Sequence, residues 1–393
     1  MKRSLLYYFS YPGVLIFLLL YCKSGGQNKA NANTKAPKKK ADTIIVANLL
    51  FAGDIMMHMP QIDAAYNDSA KKYDLSTVFS RVNTYIKGAD FAVANLETTF
   101  GGLPYTGYPQ FSSPDTLAWF IRQAGFDLLV TSNNHAADRG GKGISRTIDV
   151  LDGYDIGHTG TFKDSNERQN NSPYIYSQSI QTTKGEVLSS FKIAFLNYTY
   201  GTNGLTVPAP LIINYIDTAV ISRDIQDARK KADAVVVIYH WGIEYQREPN
   251  EEQVKLAKFT LEKGATFIIG SHPHVLQPVV WQKYGSGRDS GLVAYSMGNF
   301  ISNQRDRYKD GAMMLTVQVS KNLKTGKVQV KDPQFIPTWV YIQPDPKRYF
   351  ILPGTTASDT SNFVVPDQKE TFLQSLKDTR EHIENGAIKE AGK

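Results

Sequence analysis

The chain has 393 residues, 41% hydrophobic and 11% aromatic, which is material for a large core and excludes a disordered or low-complexity polypeptide. A single cysteine, Cys22, excludes an internal disulfide framework. The net charge of +7 belongs to one end: eight of the 44 basic residues lie in positions 1–41, without a single acid, and the rest balances 36 against 37, which excludes a basic footprint for nucleic acid.

The first segment, "MKRSLLYYFSYPGVLIFLLLYCKSGGQ", has a basic start, an apolar stretch from Val14 to Tyr21, then small and polar residues. This predicts an export signal or short anchor over 1–22. Pro12 and Gly13 interrupt the stretch, so a full spanning helix is marginal. Cys22 closes the stretch and resembles the lipobox cysteine of bacterial lipoproteins, which becomes lipid-modified; Tyr21 departs from the small residue usual before it. Residues 23–41, rich in Asn, Lys and Ala, read as a flexible basic tether. Lipid or anchor, either reading places 42–393 outside the cytoplasm as one membrane-attached domain.

From Asp42 onward one arrangement recurs: a short apolar run that ends abruptly in residues capable of chemistry. "TIIVANLLFAGD" ends in Asp54, and after a helical pattern in "LSTVFSRVNTYIKG" the run "ADFAVANLE" ends in Asn95 and Glu97. Ser113-Pro114-Asp115 opens a helix in "TLAWFIRQAG", closed by Gly125. "GFDLLVTSNNH" ends in Asn133, Asn134 and His135, and "GISRTIDVLDGY" and "AVISRDIQDARKKA" follow as helices. "ADAVVVIYHWGIEY" delivers His240 and Glu244; Asn250-Glu251-Glu252 then opens the helix "QVKLAKFTLEKG". "GATFIIGSHPH" delivers His272 and His274, and "GLVAYSMGNF" ends in Asn299. Beyond Gly311, "AMMLTVQVSKNLKTGKVQVKDPQFIPTWVYIQ" alternates around a Lys-Thr-Gly-Lys turn as antiparallel strands. "KETFLQSLKDTREHIENG" is a terminal amphipathic helix stopped by Gly386.

Runs apolar on both faces suit strands of a covered, largely parallel sheet, and strand–loop–helix–strand is the grammar of an α/β fold. Such sheets bind ligands at the carboxyl ends of their strands. The polar residues from Asp54 to His274 lie there by sequence position, so one site draws on the whole body. In "GSHPHVLQ", alternate residues of an extended segment point to one side, and Pro273 disfavours the helical region for His272. The two imidazoles are thereby expected extended and aimed at one cluster. Asp54, Glu97, Asn134, His240, His272 and His274 are a nitrogen and oxygen set suited to Zn²⁺, Mn²⁺ or Fe more than to Mg²⁺ alone. One carboxylate can bridge two such ions, about 3.5–4 Å apart, with one histidine on each.

"FAGDIMMH", "ANLETTF", "TSNNHAADRG", "YHWGIEY", "GSHPHVLQP" and "YSMGNFISNQ" resemble, in order, the motifs of the bacterial CapA capsule-synthesis family, associated with poly-γ-glutamate production and part of the calcineurin-like metallophosphoesterase superfamily. The resemblance implies a four-layer α/β/β/α sandwich with mixed sheets and metal-dependent hydrolysis of a phosphate ester or, second, an amide. It implies one or two divalent transition metal ions: Asp54 and His274 on the first, completed by Asn95; Asn134, His240 and His272 on the second; Glu97 bridging. His135 matches the histidine that stabilises the transition state and protonates the leaving group, with Asp138 to orient it. Two positions depart: Met56 stands where the superfamily's Asp-x-His has histidine, with His58 a substitute only if its loop bends back, and Ala136 stands where an acid follows the histidine. The implied partners are the membrane, through the N-terminal lipid or anchor, and an anionic surface polymer or its synthesis machinery. The alternative is a non-catalytic, membrane-tethered scaffold for that polymer. Trp241, Glu244 and Tyr245 read as walls, His158 and His382 as ordinary structure, and loops 100–112, 160–175 and 200–210 as walls or lids.

Overall fold

The apolar runs become strands because both of their faces are covered. Along Ile44–Ile55, Ala47, Leu49 and Phe51 join one buried cluster while Leu50 and Ala52 join another on the opposite face. Along Ala234–His240, Val236 and Ile238 share the first of these clusters, whereas Val235, Val237 and Tyr239 pack outward. Two sheets therefore face each other across one apolar layer, and each carries helices on its outer side. This is the α/β/β/α sandwich, observed here in a computed structural model that describes residues 44–181, 187–287, 289–354, 362–384 and 387–392. Asp42–Lys393 packs as one unit. The expected signal over 1–22, Cys22, the tether over 23–41 and the stop at Gly386 lie outside the described residues. Among the described residues no helix is long and apolar enough to cross a membrane.

Both sheets are mixed, where the periodicity suggested a largely parallel one. In the first, Ile44–Ile55, Phe91–Leu96, Leu128–Val130 and Gly157–Thr159 run parallel in that order. Gly311–Asn322, Val328–Pro344 and Lys347–Pro353 continue it antiparallel from the other side of Ile44–Ile55, as the turn-centred alternation predicts. In the second, Val187–Thr199, Ala234–His240, Phe267–Ser271 and Asp289–Met297 are parallel, flanked by antiparallel Tyr174–Gln181 and Leu276–Tyr284. The parallel strands of each sheet carry the chemistry at their carboxyl ends.

Helices Thr218–Lys231 and Glu251–Glu262 cover the second sheet; Asp217 and Asn250 cap them through side-chain oxygens. The helix Thr116–Ala124 ends at Gly125, φ 110°, as expected, but Ser113 does not cap it. Its hydroxyl pairs with Thr98 at 2.7 Å, and Arg146 occupies the Asp115 carboxylate at 2.6 Å. "LSTVFSRVNTYIKG" is helical only over Asn83–Lys87. Before that it winds in tighter turns, Val78 to Leu75 and Val82 to Phe79, while the Val78 carbonyl accepts from Ile351 N–H at 2.9 Å. That strand contact outcompetes the helical pattern. The terminal helix runs over Pro366–Ile383 and buries Phe372 and Leu376 against Trp339 and Tyr341.

Candidate metal centre

Asp54 sits where the first strand breaks register, in line with Asn95 on one side and Asn299 on the other. The irregularity re-aims its carboxylate. Asp54 N–H donates to Gly298 O at 2.9 Å, and a Cβ on Gly53 would lie 1.9 Å from that same oxygen, so only glycine admits this approach. Glu97 follows one residue after Phe91–Leu96, its N–H held by Ile55 O at 3.0 Å. From the second sheet His240 ends its strand in register with Ser271, and His272 and His274 follow.

The Ser-His-Pro-His turn is not extended. His272 has φ 98° and His274 φ 57°, conformations that cost roughly 1–3 kcal/mol each. Tyr245 N–H donates to Pro273 O at 2.7 Å and pins the turn. The result separates the two rings: His272 lies 4.8 Å from the His240 ring, centroid to centroid, and His274 turns to Asp54 and Glu97.

Glu97, His240 and His272 offer ligand atoms within 4.8 Å of one another; so do Asp54, Glu97 and His274. All five side chains are buried, and Glu97 belongs to both groups. Glu97 Oε1 and His272 Nδ1 are buried without a hydrogen-bond partner, and Asp54 Oδ2 faces His274 Nδ1 alone. A buried polar atom left without a partner costs about 1–3 kcal/mol, so the two orphans mark a place built for something more. Burial and the neighbouring Asp54 charge push the Glu97 carboxyl well up. Burial would raise Asp54 too, but His274, with Nδ1 3.2 Å from Oδ2, holds it below the usual carboxylate range. Burial pulls His274 down, yet Glu97 and Asp54 more than offset this and raise it to about 9. Burial drives His240 down to about 3 and His272 lower still, so the 3.4 Å approach of His240 Nε2 to Glu97 joins a neutral imidazole to the carboxyl. The neutral imidazoles of His240 and His272 beside the partnerless Glu97 oxygen fit a divalent transition cation.

Asn134 Oδ1 accepts from His240 Nε2 at 2.9 Å, at the edge of the second group. Asn95 is placed differently from the expected ligand. Its amide nitrogen donates to Asp54 Oδ1 at 2.8 Å and Glu97 Oε2 at 3.3 Å, while its oxygen accepts from Asn133 at 3.3 Å. It braces the carboxylates against each other. His135 Nδ1 pairs with Asp138 Oδ2 at 2.8 Å, both buried, and its ring meets Phe111 edge-on at 4.7 Å. Met56 is buried, and His58 joins neither ligand group: its Nδ1 accepts from Asn303 N–H at 3.2 Å, and burial lowers it to about 4.

Three residues escaped the sequence reading. Asn299, which ends an apolar run but is absent from the expected ligand set, accepts from His274 Nδ1 at 3.1 Å and donates to the His274 carbonyl at 3.2 Å, fixing that ring. Ser271 Oγ lies 2.9 Å from His240 Nδ1; its adjacency to His272 was the available signal. Exposed Glu244, read as a wall, reaches within the same 4.8 Å of His272 and His274.

A protein of this build is an α/β sandwich whose two sheets bring carboxylates and imidazoles to one buried candidate cation centre. Residues 48–304, from before Asp54 to beyond Asn299, match the family described as bacterial capsule synthesis protein PGA_cap, and the chain belongs to that family. "Capsule biosynthesis protein CapA" of Bacillus anthracis is 30% identical over 280 residues, covering 68% of this chain; the chain spans 62% of that relative's length. "PGA biosynthesis protein CapA" of Bacillus subtilis (strain 168) is 27% identical over 334 residues, 81% of this chain and 78% of the relative. Among solved structures, the calcineurin-like phosphoesterase YfkN from Bacillus subtilis aligns with a TM-score of 0.43 at 14% identity, covering 86% of this chain and 100% of that one.

Proposed function

We propose that this capsule-synthesis family member is a metal-dependent phosphoesterase-type protein, exported and tethered to the membrane by an N-terminal lipid or anchor, acting in synthesis or export of an anionic surface polymer such as poly-γ-glutamate. The observation that carries the reading is Glu97 shared between two buried ligand groups, with two orphaned polar atoms, Glu97 Oε1 and His272 Nδ1, among them. Asp54, Glu97 and His274 would hold one divalent transition ion, Zn²⁺, Mn²⁺ or Fe, and Glu97, His240 and His272 a second, with Asn134 beside them. When bound, such ions neutralise charge on a phosphoryl group and activate water. The chain supplies the rest. Asp138 holds His135 by Nδ1 and leaves Nε2 to give a proton to the departing oxygen. Phe111 limits the tilt of that ring, and Asn95 keeps the carboxylates in place.

Elemental analysis of the purified protein beside a panel of phosphomonoesters, phosphodiesters and amides tests this: bound transition metal with ester hydrolysis is the expected result, and a metal-loaded but inert protein overturns it. A second reading, a non-catalytic tethered scaffold for polymer synthesis or export, is favoured by buried Met56, which leaves the first group one histidine short of the superfamily pattern. Polymer output unchanged by His272→Ala but abolished by loss of the whole protein would select it.

A further inference from the structure

Tyr200 has two neighbours of different character. It follows the strand Val187–Thr199, and its N–H donates to His240 O at 3.0 Å. Its ring lies 4.5 Å from the His272 ring and nearly parallel, at 9°, to His240. The same side chain, 47% exposed, also lines a cavity of about 580 Å³. That volume lies within the range of small-molecule sites, roughly 300–1,000 Å³. Trp241, Phe259, Leu256 and Ile216 supply apolar wall. Asn250 Oδ1 and the Gln253 amide are already engaged: the two residues cap each other across the helix start, and Gln253 also donates to Gln277 at 2.8 Å. Of the charged residues, Lys255 is paired with Glu251 at 3.0 Å, and Glu252 adds negative charge to the rim. A polyanion gains nothing from such a lining, whereas a flat or branched apolar group does.

We propose that this cavity receives the non-reacting substituent of the substrate, a neutral aromatic or branched aliphatic group joined to phosphorus through an ester oxygen. The phosphoryl group then lies at Glu97, His240 and His272, and Tyr200 is the wall that fixes the spacing between the two. The inference rests on the phosphoesterase reading and adds the substrate class. Hydrolysis breaks the phosphorus–oxygen bond to the substituent; water supplies the new oxygen on phosphorus and the proton on the departing alcohol.

The test compares 1-naphthyl phosphate with methyl phosphate on the metal-loaded full chain and on Thr218→Trp. Thr218 is an exposed helix-start residue on the cavity rim, outside the candidate metal centre. The indole is expected to lower kcat/KM for 1-naphthyl phosphate about tenfold, through KM, and to leave methyl phosphate within about twofold. Equal losses on both esters, or no change on either, overturn the proposal. Fluorescence titration with 1-naphthol keeps this separate from the reaction. Saturable binding to the native chain, weakened about tenfold in Thr218→Trp, supports the cavity. No binding to the native chain overturns it even where esters are cleaved, whereas binding without cleavage of any ester fails the phosphoesterase reading alone.

Discussion

The two ligand groups share Glu97 and differ in everything else. The first combines two carboxylates with one imidazole, and there His274 is raised to about 9. The second combines one carboxylate with two imidazoles, and there burial drives His240 down to about 3 and His272 further. Histidines a few ångströms apart are thus pushed in opposite directions by the protein's own groups. The number of carboxylates within reach, set against a similar depth of burial, decides which way each goes. The oxygen-rich group favours a harder cation and the nitrogen-rich group a borderline one.

The largest expected effect comes from the shared residue. Glu97→Gln keeps the volume and removes the charge common to both groups, so bound metal by elemental analysis falls to about a tenth or less; a full equivalent retained would break the picture of one bridging carboxylate. Next, His135→Gln is expected to lower turnover about 10²–10⁴-fold with metal content unchanged. Metal lost along with turnover would make His135 a ligand and not a proton donor. Asp54→Asn and His272→Ala sharpen the contrast: each removes about one equivalent, and metal analysis of the pair should give different residual metals from a mixed Zn²⁺ and Mn²⁺ solution. The smallest effect is Asn299→Ala, which frees the His274 ring and weakens the first group alone, about 10–100-fold in competition titrations with a chelator.

The sequence made the ligand residues readable because each ends an apolar run, and in a sandwich of covered sheets the ends of parallel strands converge. Asp54, Glu97, His240, His272 and His274 meet for that reason. The shape of the histidine turn was not readable. Pro273 argues locally for extended backbone, and the positive φ at His272 and His274 depends on a contact from Tyr245, nearly thirty residues earlier. Asn95 looked like a ligand by position; its hydrogen-bond directions, set by Asn133 from another strand end, make it a brace. The failed helix before Asn83 has the same cause, a carbonyl claimed by a strand far along the chain. Glu244 and Tyr200 lie in loops, where periodicity carries no information.

Asp54 and Glu97 come from one sheet, and His240, His272 and His274 from the other. Any cation gripped by both sets is therefore a rivet through the sandwich, and occupancy is coupled to the cohesion of its halves. Chelation would reach beyond the reaction: it would loosen the mouth between the sheets and make heat resistance a function of free metal in the surroundings.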